Sequence, residues 1–533
     1  MSAAKVKEQR GAAAAAGAAK MGVEKWYEGR TLLVTGGAGF MGKVTLEKML
    51  RALPGLRRVY VLLRPKRGDG PARRLQDMIA KPVFERVRRE APEALKKLVA
   101  VEGDLLQEGL GLAPADRARL VAEVSVVLHG AASLRLEAPL GPTLRHNVLG
   151  TRRVLDLALQ MPHLQAFVHL STAFCHPEQT VVEERVYPAS APPADLLRIA
   201  EWMDDDALQL LTPRLLGGHP NCYTYTKQLA ETLVDEARTK IPTIIVRPSI
   251  VTPAWQEPTP GWVDSLNGPV GLVVGAGKGV IRSMLCGRHF KAEAIPVDMA
   301  ANIIIAAPWD ATVHRAKEKA TPVYNASCGD VVRITWGEVL DRGRKLVYET
   351  PFEGVVWYPD GDIRDSRLVH ALIVFFFHTL PAYFIDLLLL LALQKPFMVR
   401  LQRRISTGLD VLQYFTMRQW EFKNAHALAL EQHMSPEERS VFYISDVEVD
   451  VADYLRNILL GARQYCMKEP LTSIPRARRH LMLMYLIHNV AKIVFWLSIL
   501  YLIVKNVEPL RTMLDTASSG LLHSSFLRVF AVE

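Results

Sequence analysis

Cysteine is scarce: five occur in 533 residues, at Cys175, Cys222, Cys286, Cys328 and Cys466, and no two make a C-x-x-C pair. A dispersed, odd-numbered set of thiols excludes a disulfide framework and a zinc ribbon, and fits a reducing compartment. A basic run interleaved with aromatics is also missing. Lys and Arg outnumber Asp and Glu by 65 to 55, but they are spread along the chain, which argues against a nucleic-acid surface. Residues 1–20 lack the leucine-rich core of a signal peptide. Their Gly/Ala run carries Lys5, Lys7, Glu8, Arg10 and Lys20, and residues 1–22 read as a disordered extension with Met21 as an alternative start. The closing Phe530-Ala531-Val532-Glu533 is no peroxisomal tripeptide, retrieval signal or prenylation box.

What is present begins at residues 31–42, TLLVTGGAGFMG. Thr31-Leu32-Leu33-Val34-Thr35 is short, apolar and uncharged, the pattern of a buried parallel strand. A glycine turn and a helical pattern follow. Strand, glycine turn and helix together cradle a pyrophosphate, because the turn brings backbone N–H groups and a helix N-terminus close to the anion. Thr35, Gly36, Gly37, Gly39, Phe40, Met41 and Gly42 are therefore the first candidate cofactor residues. Strands are expected at 58–63, 98–102, 124–128 and 166–170, with a helix over 141–160. The alternation predicts an α/β fold, a Rossmann-type doubly wound parallel sheet.

The second strand ends in Arg64-Pro65-Lys66 with no acid. A carboxylate there would hold the ribose hydroxyls of NAD, whereas Arg64 and Lys66 suit the 2′-phosphate of NADP, so the expected cofactor is NADPH. Asp104, with Leu105 beside it, follows the third strand and is placed to accept from the adenine amino group. Gly130, Ala131 and Ala132 follow the fourth, small enough for a cofactor to pass over the sheet. His129 reads as a packed histidine. The acidic run Glu201-Trp202-Met203-Asp204-Asp205-Asp206 reads as a solvated helix start, since no histidine lies at ligand spacing, and no metal is expected.

Strand five delivers Ser171 and Thr172 to the carboxyl edge of the sheet. About fifty residues on, Asn221-Cys222-Tyr223-Thr224-Tyr225-Thr226-Lys227 opens a helix. Tyr223 and Lys227, four apart, share a face; Tyr225 points elsewhere and is a packing residue. An ammonium beside a phenol, together with the positive nicotinamide of an oxidised cofactor, favours the phenolate and brings its pKa toward the working range. Thr172, or Ser171, is the candidate to steady a developing oxyanion. Cys222 lies beside Tyr223, but a nucleophilic thiol needs a base and none is visible.

These features resemble the extended short-chain dehydrogenase/reductases. The ordered series TGGAGFMGKV, VYVLLRPK, VLHGAASLRLE, VHLSTAFC, EWMDD, YTYTKQLAE, IIVRPSIV, EPTPGWVDSLNGPVGL, GAGKGVIRSM, IPVDMAAN and WGEV narrows this. Running from about Trp26 to about Arg479, it resembles the alcohol-forming fatty acyl-CoA reductases of animals. Phe174 departs from the family, which often has Tyr after S-T-A. The resemblance implies reduction of a long-chain acyl-CoA to a fatty alcohol with two NADPH, for ether lipid or wax synthesis. Tyr223 would donate the proton, Lys227 would tune it and hold the ribose, and Thr172 or Ser171 would steady the oxyanion. It also places Asn147 and Pro248 at the cofactor and leaves a homo-oligomer open. The competing readings are a membrane-anchored sterol dehydrogenase or sugar-nucleotide reductase, and a non-catalytic NADPH-binding member of the fold.

The expected organisation is a reductase domain at 23–350, a helical domain at 351–480, a membrane helix at 481–504 and a tail at 505–533. Segment 250–295 reads as a substrate-facing insertion, in which Lys278 and Arg282 are either CoA contacts or surface charges. Residues 368–394 are long enough to span a bilayer but contain Asp386, so a soluble or half-inserted helix pair is preferred. Residues 481–504 carry one charge, Lys492, and follow Arg476, Arg478 and Arg479, which puts the catalytic part on the cytosolic side. The resemblance implies a single-pass protein of the peroxisomal membrane, with the endoplasmic reticulum as the alternative, and membrane lipid as a partner.

Overall fold

Four of the expected strands fall where the apolar runs placed them. The computed structural model describes residues 21–66, 68–328, 331–445 and 447–506; the expected extension, apart from Met21 and Gly22, and the tail beyond 506 lie outside the described residues. The strands β1 (Thr31–Thr35), β2 (Arg58–Leu63), β3 (Leu98–Glu102), β4 (Val126–His129), β5 (Ala166–Leu170), β6 (Thr243–Pro248) and β7 (Val323–Ala326) form one sheet. Its order is β7-β6-β5-β4-β1-β2-β3, and every pairing is parallel. Of the five expected strands only β4 differs, starting two residues later and ending on His129, and β6 and β7 are two strands beyond those expected.

Side chains alternate across this sheet, so each strand feeds two cores. Leu32 and Val34 join one with Val44, Ile303 and Ile304; Leu33 and Tyr60 join the other with Leu155 and Leu229. The first core lies under α1 (Phe40–Ala52) and α4 (Val297–Val313), which pack on each other. The second lies under α2, a continuous helix over 140–158, and α3 (Cys222–Ala237). A single π-turn, Arg145–Leu149, interrupts α2 and contains Asn147.

The helical region after 350 does not build a separate core. Ala427, Leu430, Phe442, Tyr443 and Tyr454 belong to the first core of the sheet domain, so the boundary at 350 marks a change of pattern rather than a gap in packing. Two longer helices stand out from this body: α5 (Arg367–Leu391), returning through α6 (Met398–Thr416), and α7 (Ile474–Asn506). Among the described residues, Arg367–Leu391 and Leu471–Ile503 are long and apolar enough to cross a membrane. The expected pair over 368–394 is one helix that runs through Pro381 by way of a π-turn at Phe375–Thr379.

A strap over 254–277 ties α1 to the rest. Asp298, at the start of α4, accepts from the backbone N–H groups of Trp255, Gln256 and Glu257 at 3.0, 2.8 and 3.0 Å, and from the Tyr443 hydroxyl at 2.7 Å. Glu257 then takes Lys48, Arg51 (2.9 Å) and Arg86 (2.8 Å). Asp264 holds Lys43 at 2.9 Å, and Trp262 stacks on Phe40 at 5.4 Å. Burial pushes the Glu257 carboxyl up, but Lys48 and Arg51 outweigh it and hold it at about 2 against an ordinary 4.5. A depressed carboxylate contributes stability above its unfolded pKa and loses it as pH falls through the folded one, here from 4.5 toward about 2. The contribution is about 3 kcal/mol. Thermal melts over this window should show a steep loss of Tm in the wild type and a shallower one in Glu257→Gln.

Candidate active site

The switch in strand order lies between β1 and β4, where a doubly wound sheet opens a crevice at its carboxyl edge. Gly36, at φ +77°, turns the chain there. A Cβ on it would lie 2.6 Å from the Gly130 carbonyl carbon, and one on Gly42 would lie 2.4 Å from the Gly36 oxygen. Glycine at both positions lets the two loops touch and α1 begin beside them. Gly39 precedes α1 with no side-chain cap, so the first-turn N–H groups at Phe40, Met41 and Gly42 are available to an anion. The cradle therefore fits a dinucleotide pyrophosphate. Arg64 and Lys66 are exposed at the end of β2, and Arg64 and Asp104 both act electrostatically on His146. These charges cluster on the β2–β3 side, where an adenosine end would lie.

Three of the expected cofactor residues turn inward instead. Thr35 is buried, its hydroxyl within 2.8 Å of His129 Nδ1 and accepting from the Ala131 N–H at 3.2 Å. Leu105 packs under Gly150. Asn147 accepts from the Ser133 N–H at 2.8 Å and donates to Thr226 at 3.0 Å. These side chains shape the loops after β1, β3 and β4 from behind. His129 is the packed histidine its surroundings suggested, and burial pushes it down to about 3. Pro248 closes β6, and Ser249 follows with a buried, unpartnered hydroxyl.

Helix α3 opens as its sequence proposes. Asn221 caps it by accepting from the Thr224 N–H at 2.9 Å, and Tyr225 is fully buried against His219. Tyr223 comes beside Thr172, whose hydroxyl favours the phenolate, and both line one cavity. Ser171 beside it has a buried, unpartnered Oγ, a second donor at the same strand end. Lys227 donates to the Leu170 carbonyl at 2.6 Å. The expected lowering of the Tyr223 pKa is not found. Burial raises the phenol well above its ordinary value, and the Cys175 sulfur nearby raises it further, against a smaller lowering by Thr172. Burial also brings Lys227 down to about 8, with Glu231 and Cys175 opposing. Tyr223 is thus a held proton, not a ready phenolate.

Behind Lys227 lies an ion cluster that local pattern could not reveal. Arg247 on β6 grips both oxygens of Glu231 at 2.8 and 2.6 Å, and both residues are fully buried. Cys175 donates to Glu231 at 3.3 Å, and His176 lies 3.4 Å from it. Burial alone would discharge His176, but Cys175, Glu178 and Glu231 raise it to about 11. Cys175, His176 and Glu231 lie at metal-ligand spacing, yet the guanidinium occupies the carboxylate. Asp310, His314 and His433 are a second such group, and Asp310 is taken by Tyr324 at 2.7 Å, Arg315 at 2.9 Å and His433 at 2.6 Å. The acidic run near 201 becomes a helix start: Asp204 caps Asp205–Leu216.

From Thr172 and Tyr223 an apolar cavity of about 350 Å³ runs outward. Its walls are the strap (Pro269, Leu272, Val273, Ala276), the helix Trp336–Glu349 (Val339, Leu340, Val347) and the end of α6 (Leu412, Phe415). Phe174 sits in its wall, edge-on to Phe415, Trp420 and Phe422 at 5.4, 5.5 and 5.1 Å, so a ring without a hydroxyl suits the place. Lys278 pairs with Glu469 at 3.0 Å and Arg282 with Asp360 at 2.8 Å; both are spent within the fold.

Residues 34–304 match a family model described as Male sterility protein, and residues 377–469 match a second model of the same description. A fatty acyl-CoA reductase 1 of Xenopus laevis is 36% identical over 461 residues, covering 86% of this chain and 89% of its own. The Homo sapiens fatty acyl-CoA reductase 1 is 35% identical over 459 residues, with coverage of 86% and 89%. A fatty acyl-CoA reductase 2 of Mus musculus is 34% identical over 491 residues, with coverage of 92% and 95%. Among solved structures, the terminal R domain of the myxalamid PKS-NRPS pathway is similar at a TM-score of 0.53 and 17% identity, covering 86% of this chain and 99% of its own. The reductase domain of a non-ribosomal peptide synthetase from Mycobacterium tuberculosis matches at 0.53 and 17%, with coverage of 84% and 94%. These two show the fold.

Proposed function

The chain belongs to the fatty acyl-CoA reductase family, and from that membership we propose that it reduces a long-chain acyl-CoA to the primary alcohol and free CoA, with NADPH as reductant. The observation that carries this reading is the apolar cavity that starts at Thr172 and Tyr223. Two equivalents of the dinucleotide, held in turn by the glycine cradle, would supply the two hydrides that the thioester and then the aldehyde need. The residues of the chain manage the oxygen. Thr172 and Ser171 donate to it as charge develops, and Tyr223 gives up its proton. As the C–S bond of the resulting hemithioacetal breaks, its hydroxyl proton returns to the Tyr223 phenolate. The CoA thiolate leaves and takes a proton from solvent, and the aldehyde is held by the apolar walls for the second round, in which Tyr223 donates again. Lys227 lies one helical turn from Tyr223, in place to hold the nicotinamide ribose. No covalent acyl-enzyme is required: burial pushes Cys222 up to about 11, far from a thiolate.

Membranes from cells expressing the chain, given NADPH and palmitoyl-CoA, should form hexadecanol, read by mass spectrometry. A sterol or a UDP-sugar consumed in its place would overturn the reading, as would NADPH binding with no turnover of any acyl-CoA. The choice of NADPH over NADH rests on Arg64 and Lys66. Arg64→Gln/Lys66→Gln should raise the KM for NADPH by about 10–100-fold, the loss of one or two charge-assisted bonds, and leave turnover with NADH unchanged.

Helix α7 is read as a single membrane crossing, at a peroxisomal or endoplasmic reticulum membrane, with the catalytic part in the cytosol. Its apolar stretch is not covered by the protein, and Arg476, Arg478 and Arg479 precede that stretch on the catalytic side. Protease added to intact organelles should digest the catalytic part.

A further inference from the structure

Helix α5 leaves the protein and α6 brings the chain back to the same short strand. Near the start of α5, His370 Nδ1 lies 2.8 Å from Ser283 Oγ; at the end of α6, the Thr416 hydroxyl donates to the Leu285 carbonyl at 2.7 Å. Ser283–Leu285 is one three-residue strand. A segment with both feet on one strand enters and leaves a bilayer from one side. Its turn is ordered, because Asp386 accepts from the N–H groups of Phe397, Met398 and Val399 at 2.9, 2.8 and 2.9 Å. The carboxylate that makes a crossing costly is the cap that builds the hairpin.

The hairpin is apolar and uncovered. Leu391 is 73% exposed and Leu393, in the turn, 95%. Beside them stand Lys395, Arg400, Arg403 and Arg404, all exposed, and Asp386 is the only acid between 367 and 409. Leucine and phenylalanine next to a row of cations is the composition of an interfacial element on anionic lipid. The surface is continuous with the membrane helix: Phe377 of α5 meets Phe495 of α7 with ring centroids 6.1 Å apart. The same cations would repel a second hairpin.

We propose that the α5–α6 hairpin is a second, non-crossing membrane contact, seated in one leaflet of an anionic bilayer, with its apolar side chains among the lipid tails and its cations on lipid phosphates. It rests on the reading of α7 as the membrane anchor. The foot of the hairpin is also the cavity wall, since Ser283, Met284, Leu412, Phe415 and Thr416 line both. The leaflet contact therefore sets the acyl cavity at the lipid surface, where a long-chain alcohol is soluble.

The test uses the full chain in vesicles of phosphatidylcholine with and without phosphatidylserine. A polarity-sensitive fluorophore is placed on Leu393→Cys and, separately, on Leu380→Cys, with the unsubstituted protein labelled in parallel as the blank. The expected result is a blue shift at both positions, with spin labels high on the lipid tails quenching about twice as well as those at the bilayer centre. Arg400→Gln/Arg403→Gln/Arg404→Gln should weaken the dependence on phosphatidylserine by about 100-fold, near 1 kcal/mol for each charge removed. Deepest quenching at Leu380 with Leu393 exposed to the trapped lumen would overturn the proposal in favour of a crossing. A blue shift that ignores lipid and grows with protein concentration would overturn it in favour of a second copy of the chain. Turnover is not read, so failure of the acyl-CoA reading leaves this result intact.

Discussion

Tyr223→Phe will lose about 10²–10⁴ in kcat, the usual worth of a positioned general acid, and will leave the KM for acyl-CoA within about threefold. The substitution removes one oxygen and keeps the ring in the cavity wall, so binding survives while the proton does not. The structure sharpens this expectation. Burial and the Cys175 sulfur hold the phenol well above its ordinary pKa, so Tyr223 carries its proton across the physiological range. A reductase needs that state, because each hydride leaves an anionic oxygen that must be protonated. Hexadecanol yield from matched membranes measures it. Equal alcohol from wild type and Tyr223→Phe would move the proton source to Thr172 or to a water.

Arg247→Met will destabilise the fold by about 3–5 kcal/mol, because it strands the Glu231 carboxylate in a place fully closed to water. The guanidinium makes two bonds to Glu231 and also donates to the carbonyls of Glu183 and Arg185 at 3.1 and 3.0 Å, so it ties β6 to α3 and to the loop after β5. Replacing both partners removes the stranded charge. Glu231→Met/Arg247→Met should therefore melt above Arg247→Met alone, although it lacks one more native side chain. Melting curves of the two variants decide the matter; a double variant less stable than the single one would show that the cluster adds more than mutual neutralisation. Glu231 lies one turn beyond Lys227 and already opposes the burial that brings it to about 8, so freeing Glu231 from Arg247 should raise the Lys227 pKa, read by titration of the variant.

Where contacts are local, residues predicted structure well. β1, β2, β3 and β5 follow from apolar runs, the glycine turn from its spacing, and the start of α3 from Asn221, because each is decided within about six residues. That Ser171, Thr172, Tyr223 and Lys227 come together was legible for the same reason: strand ends and helix starts collect at the carboxyl edge of a parallel sheet. What escaped was decided at long range. Glu231 and Arg247 stand inside quoted motifs, yet nothing near either names the other as partner. The expected lowering of the Tyr223 pKa rests on Lys227 and on the positive nicotinamide of an oxidised cofactor; in the protein alone, burial, which a sequence does not display, outweighs the neighbouring charges. Asp386 was weighed as a cost in lipid because its three backbone donors lie across a turn that pattern alone does not close. Thr35 and Asn147 were placed by motif position, and their side chains face the other way.

The strap over 254–277 has two faces with different clients. One holds α1 through Phe40, Lys43, Lys48 and Arg51; the other supplies Pro269, Leu272, Val273 and Ala276 to the cavity. A ligand that steadies the first turn of α1 also steadies the cavity wall, and the linkage is reciprocal: whatever factor one occupant adds to the affinity of the other is returned in equal measure. On the function proposed above, reductant at the first turn of α1 and an acyl chain in the cavity would each tighten the other through the strap, in addition to their contact at the reacting carbon.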